Sequence, residues 1–139
     1  MIPDKLFKSL RHSFKGFQNH LNGQNLESGY KPDFVLKRND EYIIIESENS
    51  SSRKMFVGGL MKAAHFLRNQ NIGILVFVIV PKENTTASAI AKHLKVYLEW
   101  IKNNTNLRDV FVIDDSHYYS SEKILSLDGK DFRKCAFKV

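Results

Sequence analysis

Three carboxylates, with a serine between two of them, make up the part of this sequence best suited to chemistry. Asp33 follows Pro32, and after twelve further residues comes Glu46-Ser47-Glu48. The stretch between reads as two short strands, Phe34-Val35-Leu36 and Tyr42 to Ile45, joined by a tight turn at Asn39-Asp40. Both turn residue types tolerate positive φ. With that turn, residue numbers in each cross-strand pair sum to 79. Arg38 then faces Glu41, Lys37 faces Tyr42, Leu36 faces Ile43, and Asp33 faces Glu46. Side chains alternate along a strand, so Glu48 shares the face of Glu46. Directly opposed side chains have Cβ atoms about 5 Å apart, and like charges there are destabilising. A divalent cation with oxygen ligands relieves such repulsion. The chemistry open to that arrangement is the binding of such a cation by carboxylate oxygens.

Several elements must position these acids. Leu6, Phe7, Leu10, Phe14, Phe17 and Leu21 recur at helical spacing, so a helix is expected from about Asp4 to Leu21, stopped by Asn22-Gly23. Its polar side carries Lys5, Lys8, Arg11, His12 and Lys15, read either as a phosphate-contacting stripe or as a solvated face. Ser50 to Ser52 offer N-caps for a second helix over about Arg53 to Asn69, interrupted by Gly58-Gly59. Those glycines suit close helix-to-sheet packing or close approach of a nucleic-acid backbone. Arg53 and Lys54 stand in the first turn of that helix, against its dipole preference, which gives them an electrostatic reason to be near acids. The run Gly73 to Val80 is nearly all apolar, as in a central strand covered on both faces. Thr85 or Thr86 caps a third helix to about Lys102, and Leu107 to Ile113 is another strand closed by Asp114-Asp115. Lys123 to Leu127 and Phe132 to Val139 read as edge strands. Alternating strands and helices predict an α/β sheet with right-handed crossovers.

Composition narrows the class. The chain has 139 residues, 42% hydrophobic and 26% charged, with a single cysteine. One domain with a substantial core is expected. One cysteine excludes a disulfide framework and a cysteine-rich zinc site. A net charge of +6 favours an anionic partner, although a basic balance also serves solubility. The longest apolar run is too short to span a bilayer. The N-terminus lacks an uninterrupted apolar segment of the secretory kind, so the expected location is the cytoplasm. No phosphate-binding glycine loop of the NTPase type is present.

The spacing of Pro32-Asp33 from Glu46-Ser47-Glu48, set within the order helix, strand hairpin, helix, strand, helix, strand, resembles the PD-(D/E)xK nuclease superfamily. The resemblance covers roughly residues 4–113. It implies an α/β, restriction-endonuclease-like core: a central mixed sheet with a catalytic hairpin flanked by helices, in one domain with a C-terminal extension over 114–139. Asp33 and Glu46 match the family's Mg²⁺ ligands, and the Ser47 carbonyl could add a backbone ligand. Glu48 departs from the pattern, standing where the family has lysine, as in a subset of restriction endonucleases. It is then a general base or a ligand for a second metal. Lys54 and Arg53 are the candidates for the displaced cation, with Lys82 behind them. Lys54 is assigned to catalysis, and Arg53 joins Lys8, Arg11 and Lys15 as a nucleic-acid contact. The implied activity is a Mg²⁺- or Mn²⁺-dependent DNA endonuclease of restriction, repair or junction-resolving type. A homodimer is expected, because so short a chain has little room for a separate recognition domain, and a larger protein partner is also compatible. The rival expectation is a non-cleaving DNA-binding or assembly subunit that kept the fold. Glu27, Asp114, Asp115 and His117 are further metal-ligand candidates, read by default as surface or loop residues. His65 and His93 are read as packing or solvent-facing residues, and Tyr118-Tyr119 as edge residues or base-stacking rings.

Overall fold

The structure, a computed structural model, describes residues 1–20 and 23–139. A six-stranded mixed sheet runs through its centre in the order β1-β2-β3-β4-β5-β8. The strands β1 (Gln18–His20), β2 (Phe34–Arg38) and β3 (Glu41–Glu48) form an antiparallel meander. β4 (Ile72–Ile79) lies parallel to β3, and β5 (Leu107–Asp114) lies parallel to β4. A short β8 (Phe137–Lys138) closes the far edge antiparallel to β5.

The hairpin has the register expected from its turn. Arg38 pairs with Glu41, Lys37 with Tyr42, Leu36 with Ile43 and Phe34 with Ile45. Asn39 takes the positive φ, +53°, that the reversal needs. Two helices follow as crossovers: α2 (Arg53–Phe66) between β3 and β4, and α3 (Ala87–Lys102) between β4 and β5. Thr86 caps α3, its hydroxyl oxygen accepting from Ala89 N–H at 3.2 Å. Ser52 occupies the N-cap position of α2 without a side-chain capping bond.

Two crossovers stepping the same way across a sheet put both helices on one face. There Phe56, Leu60, Ala63, Ala64, Ile90, Leu94 and Leu98 pack on Val35, Ile44, Leu75, Phe77 and Val112. Gly59 sits where an added Cβ would come within 3.1 Å of the Phe77 ring, which supports the packing reading for that glycine. Gly58 faces open space. The opposite face, with Leu36, Ile43, Ile45, Val76, Val78 and Ile113, is covered by Ile2, Phe7, Tyr118, Leu127 and Phe132. β4, buried on both sides, accounts for the continuous apolar run. No helix among the described residues is long and apolar enough to cross a membrane.

The first and last segments correct the sequence-based expectation. The helix expected from Asp4 to Leu21 is a six-residue α1 (Asp4–Ser9). Leu10 turns extended at φ −68° and ψ 153°, a turn follows through Phe14 and Phe17 with Gly16 at φ +88°, and the chain enters the sheet as β1. The apolar residues at helical spacing are satisfied differently. Phe7 enters the core, while Phe14 and Phe17 stack edge-to-face, 5.1 Å between centroids. Leu21 and Asn22, the expected end of that helix, lie outside the described residues. Lys8, Arg11 and Lys15 therefore do not form one helical stripe. In the tail, α4 (Asp115–Tyr118) leads into a two-stranded ribbon of β6 (Tyr119–Ser120) and β7 (Lys123–Ile124), outside the main sheet. Phe132, expected in a strand, lies in α5 (Lys130–Cys135), because its buried ring fills the lower core. α2 ends at Phe66, three residues earlier than expected, and Asn69 adopts φ +57°.

Candidate metal and phosphate site

β2 and β3 run out at the same end of the sheet, and there Asp33 and Glu46 clasp one another through the backbone. Asp33 N–H donates to Glu46 Oε1 at 2.8 Å, and Ser47 N–H donates to Asp33 Oδ2 at 2.8 Å. Each acid thus spends one oxygen on a main-chain donor of its partner's strand. The clasp continues the hairpin register beyond the last ladder pair, Phe34–Ile45, with carboxylates replacing the missing backbone acceptors. Asp33 Oδ1 and Glu46 Oε2 remain on the far sides of these groups. In an antiparallel ladder a residue's N–H and C=O project to the same side. The Ser47 carbonyl therefore also turns toward Asp33, past the end of β2. Glu48, one pleat on, accepts from Ser50 N–H at 2.9 Å, which binds it into the turn leading to α2.

The electrostatics follow from this crowding. Burial pushes the Glu46 carboxyl up to about 7, helped by the neighbouring charges of Asp33 and Glu48; the Asp33 N–H and Lys62 oppose it. Burial also raises Asp33, with Asp4 and Glu48 adding to the effect and the Ser47 N–H and Lys8 opposing it. Tyr30, 4% exposed, lies under the cluster. Its hydroxyl has no hydrogen-bond partner among the described residues, and burial together with the charges of Glu46, Glu27 and Asp33 holds its pKa well above normal. A buried orphan hydroxyl costs about 1–3 kcal/mol unless something pairs with it.

Two lysines act on the acids, only the first of them within ion-pair distance. Lys8 Nζ lies 3.1 Å from Asp4 and 3.9 Å from Asp33 Oδ1, so the end of α1 is drawn to the cluster. Lys62, in the third turn of α2, acts on Glu46. Sequence reasoning missed Lys62 because it looked in the first turn of α2. That turn points elsewhere: Arg53 donates to the Asn84 carbonyl oxygen at 3.2 Å. Lys54 is exposed and has no ion pair with the acids among the described residues. Lys82 donates to the carbonyl and side-chain oxygens of Asn49, both at 2.8 Å, bracing the turn after Glu48.

The other candidates lie apart. Glu27 pairs with His65 at 2.9 Å, which gives that histidine a partner. Asp115 pairs with the Met1 amine at 3.3 Å. Tyr118 is fully buried and cannot stack on a base. It donates to His12 Nδ1 at 2.6 Å while His12 Nε2 donates to the Phe7 carbonyl at 2.7 Å. A carbonyl only accepts, so the proton on Nε2 fixes the tautomer. His12, read as a surface residue, is in fact buried.

Among the described residues, no group of three or more His, Cys, Asp or Glu is placed to hold a metal ion together, so Glu48 does not join Asp33 and Glu46 in one ligand set. Mg²⁺ needs no cage; it takes one or two carboxylates and keeps waters or substrate oxygens for the remaining positions. Asp33 and Glu46, each anchored by a backbone N–H, are two carboxylates of the kind such an ion takes. No family model matches this chain, and no curated protein or solved structure is similar enough to it to count as a match.

Proposed function

We propose that this protein hydrolyses phosphodiester bonds in DNA with the help of Mg²⁺ or Mn²⁺ held at Asp33 and Glu46. The observation that carries the reading is the reciprocal Asp33–Glu46 clasp, which fixes two partly desolvated carboxylates side by side, each with its second oxygen outside the clasp. A helix, a three-stranded meander, a helix and a strand parallel to the third strand support a restriction-endonuclease-like core around it.

In this reading Asp33, Glu46 and the Ser47 carbonyl hold the metal. When bound, the ion would supply a water of lowered pKa and offset negative charge on the substrate phosphate. Glu48 accepts the proton of the attacking water. Lys8 lies beside Asp33 and Lys62 acts on Glu46 from beyond ion-pair distance; together they supply positive charge that the residue at position 48 does not. The DNA presents two strands, and two-fold pairing of this chain provides a site for each, so a homodimer is part of the proposal.

Cleavage of supercoiled, linear and branched DNA with Mg²⁺ or Mn²⁺ is the decisive assay. Asp33→Ala and Glu46→Ala should each abolish it; cutting that persists in both removes this site from the reaction. A second reading, a non-cleaving DNA-binding or assembly subunit, draws on Glu48, which occupies the motif's lysine place and is tied into its own turn. It predicts salt-dependent DNA binding with no cutting under any divalent ion.

A further inference from the structure

Beside the end of β2, where His20 pairs with Val35, a cleft is lined by Phe34 and Asp33. This cleft has a volume of about 330 Å³. Lys8 and Asp33 line it on the side of the acid cluster, and Lys31, Gln24, Asn19 and His20 line the rest. It therefore opens directly from the carboxylate that would hold the metal. Its volume stands at the low end of the range for ligand pockets, about 300–1,000 Å³, which suits one nucleotide and not a duplex.

The lining chemistry is mixed in an informative way. Lys8 and Lys31 bring two ammonium groups, and Lys31 is exposed with no acid partner among the described residues. Gln24 brings an amide, which offers a donor and an acceptor together and so matches base edges. Burial and the nearby Lys37 charge keep the His20 ring below its ordinary pKa, so it serves as a neutral hydrogen-bonding wall. A purely apolar ligand would strand these groups.

We propose that this cleft is a nucleotide subsite of the hydrolytic centre, taking the nucleotide next to the scissile phosphate, with Lys31 on its phosphate and Gln24 on its base. The inference rests on the phosphodiesterase reading for the meaning of Asp33, but its test is separable. Deoxynucleoside 5′-monophosphates are titrated into the protein and followed by amide chemical shifts, for wild type, Lys31→Ala, Gln24→Ala and, as a distant control, Lys92→Ala. Shifts should gather on residues lining the cleft. Lys31→Ala should weaken every mononucleotide about two- to fivefold, the effect of losing one exposed charge-assisted contact. Gln24→Ala should narrow the differences between bases, inorganic phosphate alone should bind more weakly than the mononucleotides, and Lys92→Ala should behave as wild type. With a cleavable oligonucleotide, Lys31→Ala should raise KM and leave kcat near wild type. Unchanged mononucleotide affinity in both cleft variants, or shifts gathering elsewhere, overturns the subsite even if the protein cuts DNA. Lys31-dependent mononucleotide binding without cutting under any divalent ion instead keeps the subsite and defeats the hydrolytic reading.

Discussion

Glu46 is where burial, charge and metal chemistry meet, and its carboxyl raised to about 7 has consequences in two directions. In the folded state it holds a proton that the unfolded chain has already released near 4.5. Between these values the folded state binds more protons, so stability falls as pH climbs, by up to about 3 kcal/mol at pH 7 and above. Glu46→Gln removes that cost. It should raise the melting temperature of the metal-free protein at pH 8 and change it little at pH 5. Equal shifts at both pH values would assign the effect to something other than ionisation. The same proton competes with a metal. Mg²⁺ affinity, followed by calorimetry, should strengthen from pH 6 to 8 in the wild type and be lost in Glu46→Gln. Lys62 opposes the upward shift, so Lys62→Met should move the acid limb of the pH–rate profile to higher pH, whereas Lys54→Ala should leave it in place. A profile displaced by Lys54→Ala and not by Lys62→Met would return the displaced-cation role to Lys54.

At the scale of elements, α1 is held in place by a residue of another segment. Phe7 and Lys8 are neighbours on it; the Phe7 carbonyl is bound by His12, and His12 by Tyr118, whose hydroxyl is 106 positions away. The position of Lys8 beside Asp33 therefore depends on the tail. Tyr118→Phe leaves the buried His12 Nδ1 without a donor and should cost about 1–2 kcal/mol in denaturant unfolding. His12 is itself depressed to about 4 by burial. Below its unfolded value of 6.5 the unfolded chain takes up a proton that the folded state refuses, so its contribution is full above pH 6.5 and declines as pH falls toward 4. This contact also explains what was legible in the sequence and what was not. The hairpin was legible because its turn, its apolar residues and its register are all local. The same locality gave α2, β4, α3 and β5 to within a few residues. The first segment misled because Leu6, Phe7, Leu10, Phe14 and Phe17 fit a 3.6-residue period, yet His12, buried by partners distant in sequence, breaks the helix that the period suggests. Asp33 and Glu46 were legible as a pair, but Lys8, Lys62 and Tyr30 reach the site through tertiary packing that no spacing records.

For the whole molecule, the excess of positive charge and the three acids pull DNA binding in opposite directions. Lys8 and Lys31 face a cleft at the acid cluster, and the chain as a whole carries +6. A phosphate approaching Asp33 and Glu46 without a cation meets ionised carboxylates at pH 8. Metal-free wild type should therefore bind duplex weakly, through lysines and arginines away from the acids. Its affinity should fall with salt at a log–log slope of about −3 to −5, the release expected for a handful of phosphates. Glu46→Gln removes one opposing charge without adding a contact. In chelator at pH 8 it should bind the same duplex more tightly than wild type, with an unchanged slope, since the number of phosphates engaged is the same. At pH 5.5, where the wild-type Glu46 is already protonated, the two proteins should converge. Fluorescence anisotropy over a sodium chloride series at both pH values measures all of this. A Glu46→Gln protein no tighter than wild type at pH 8 would mean that the DNA backbone passes nowhere near the Asp33–Glu46 clasp, and the basic surface would then have to serve a different partner.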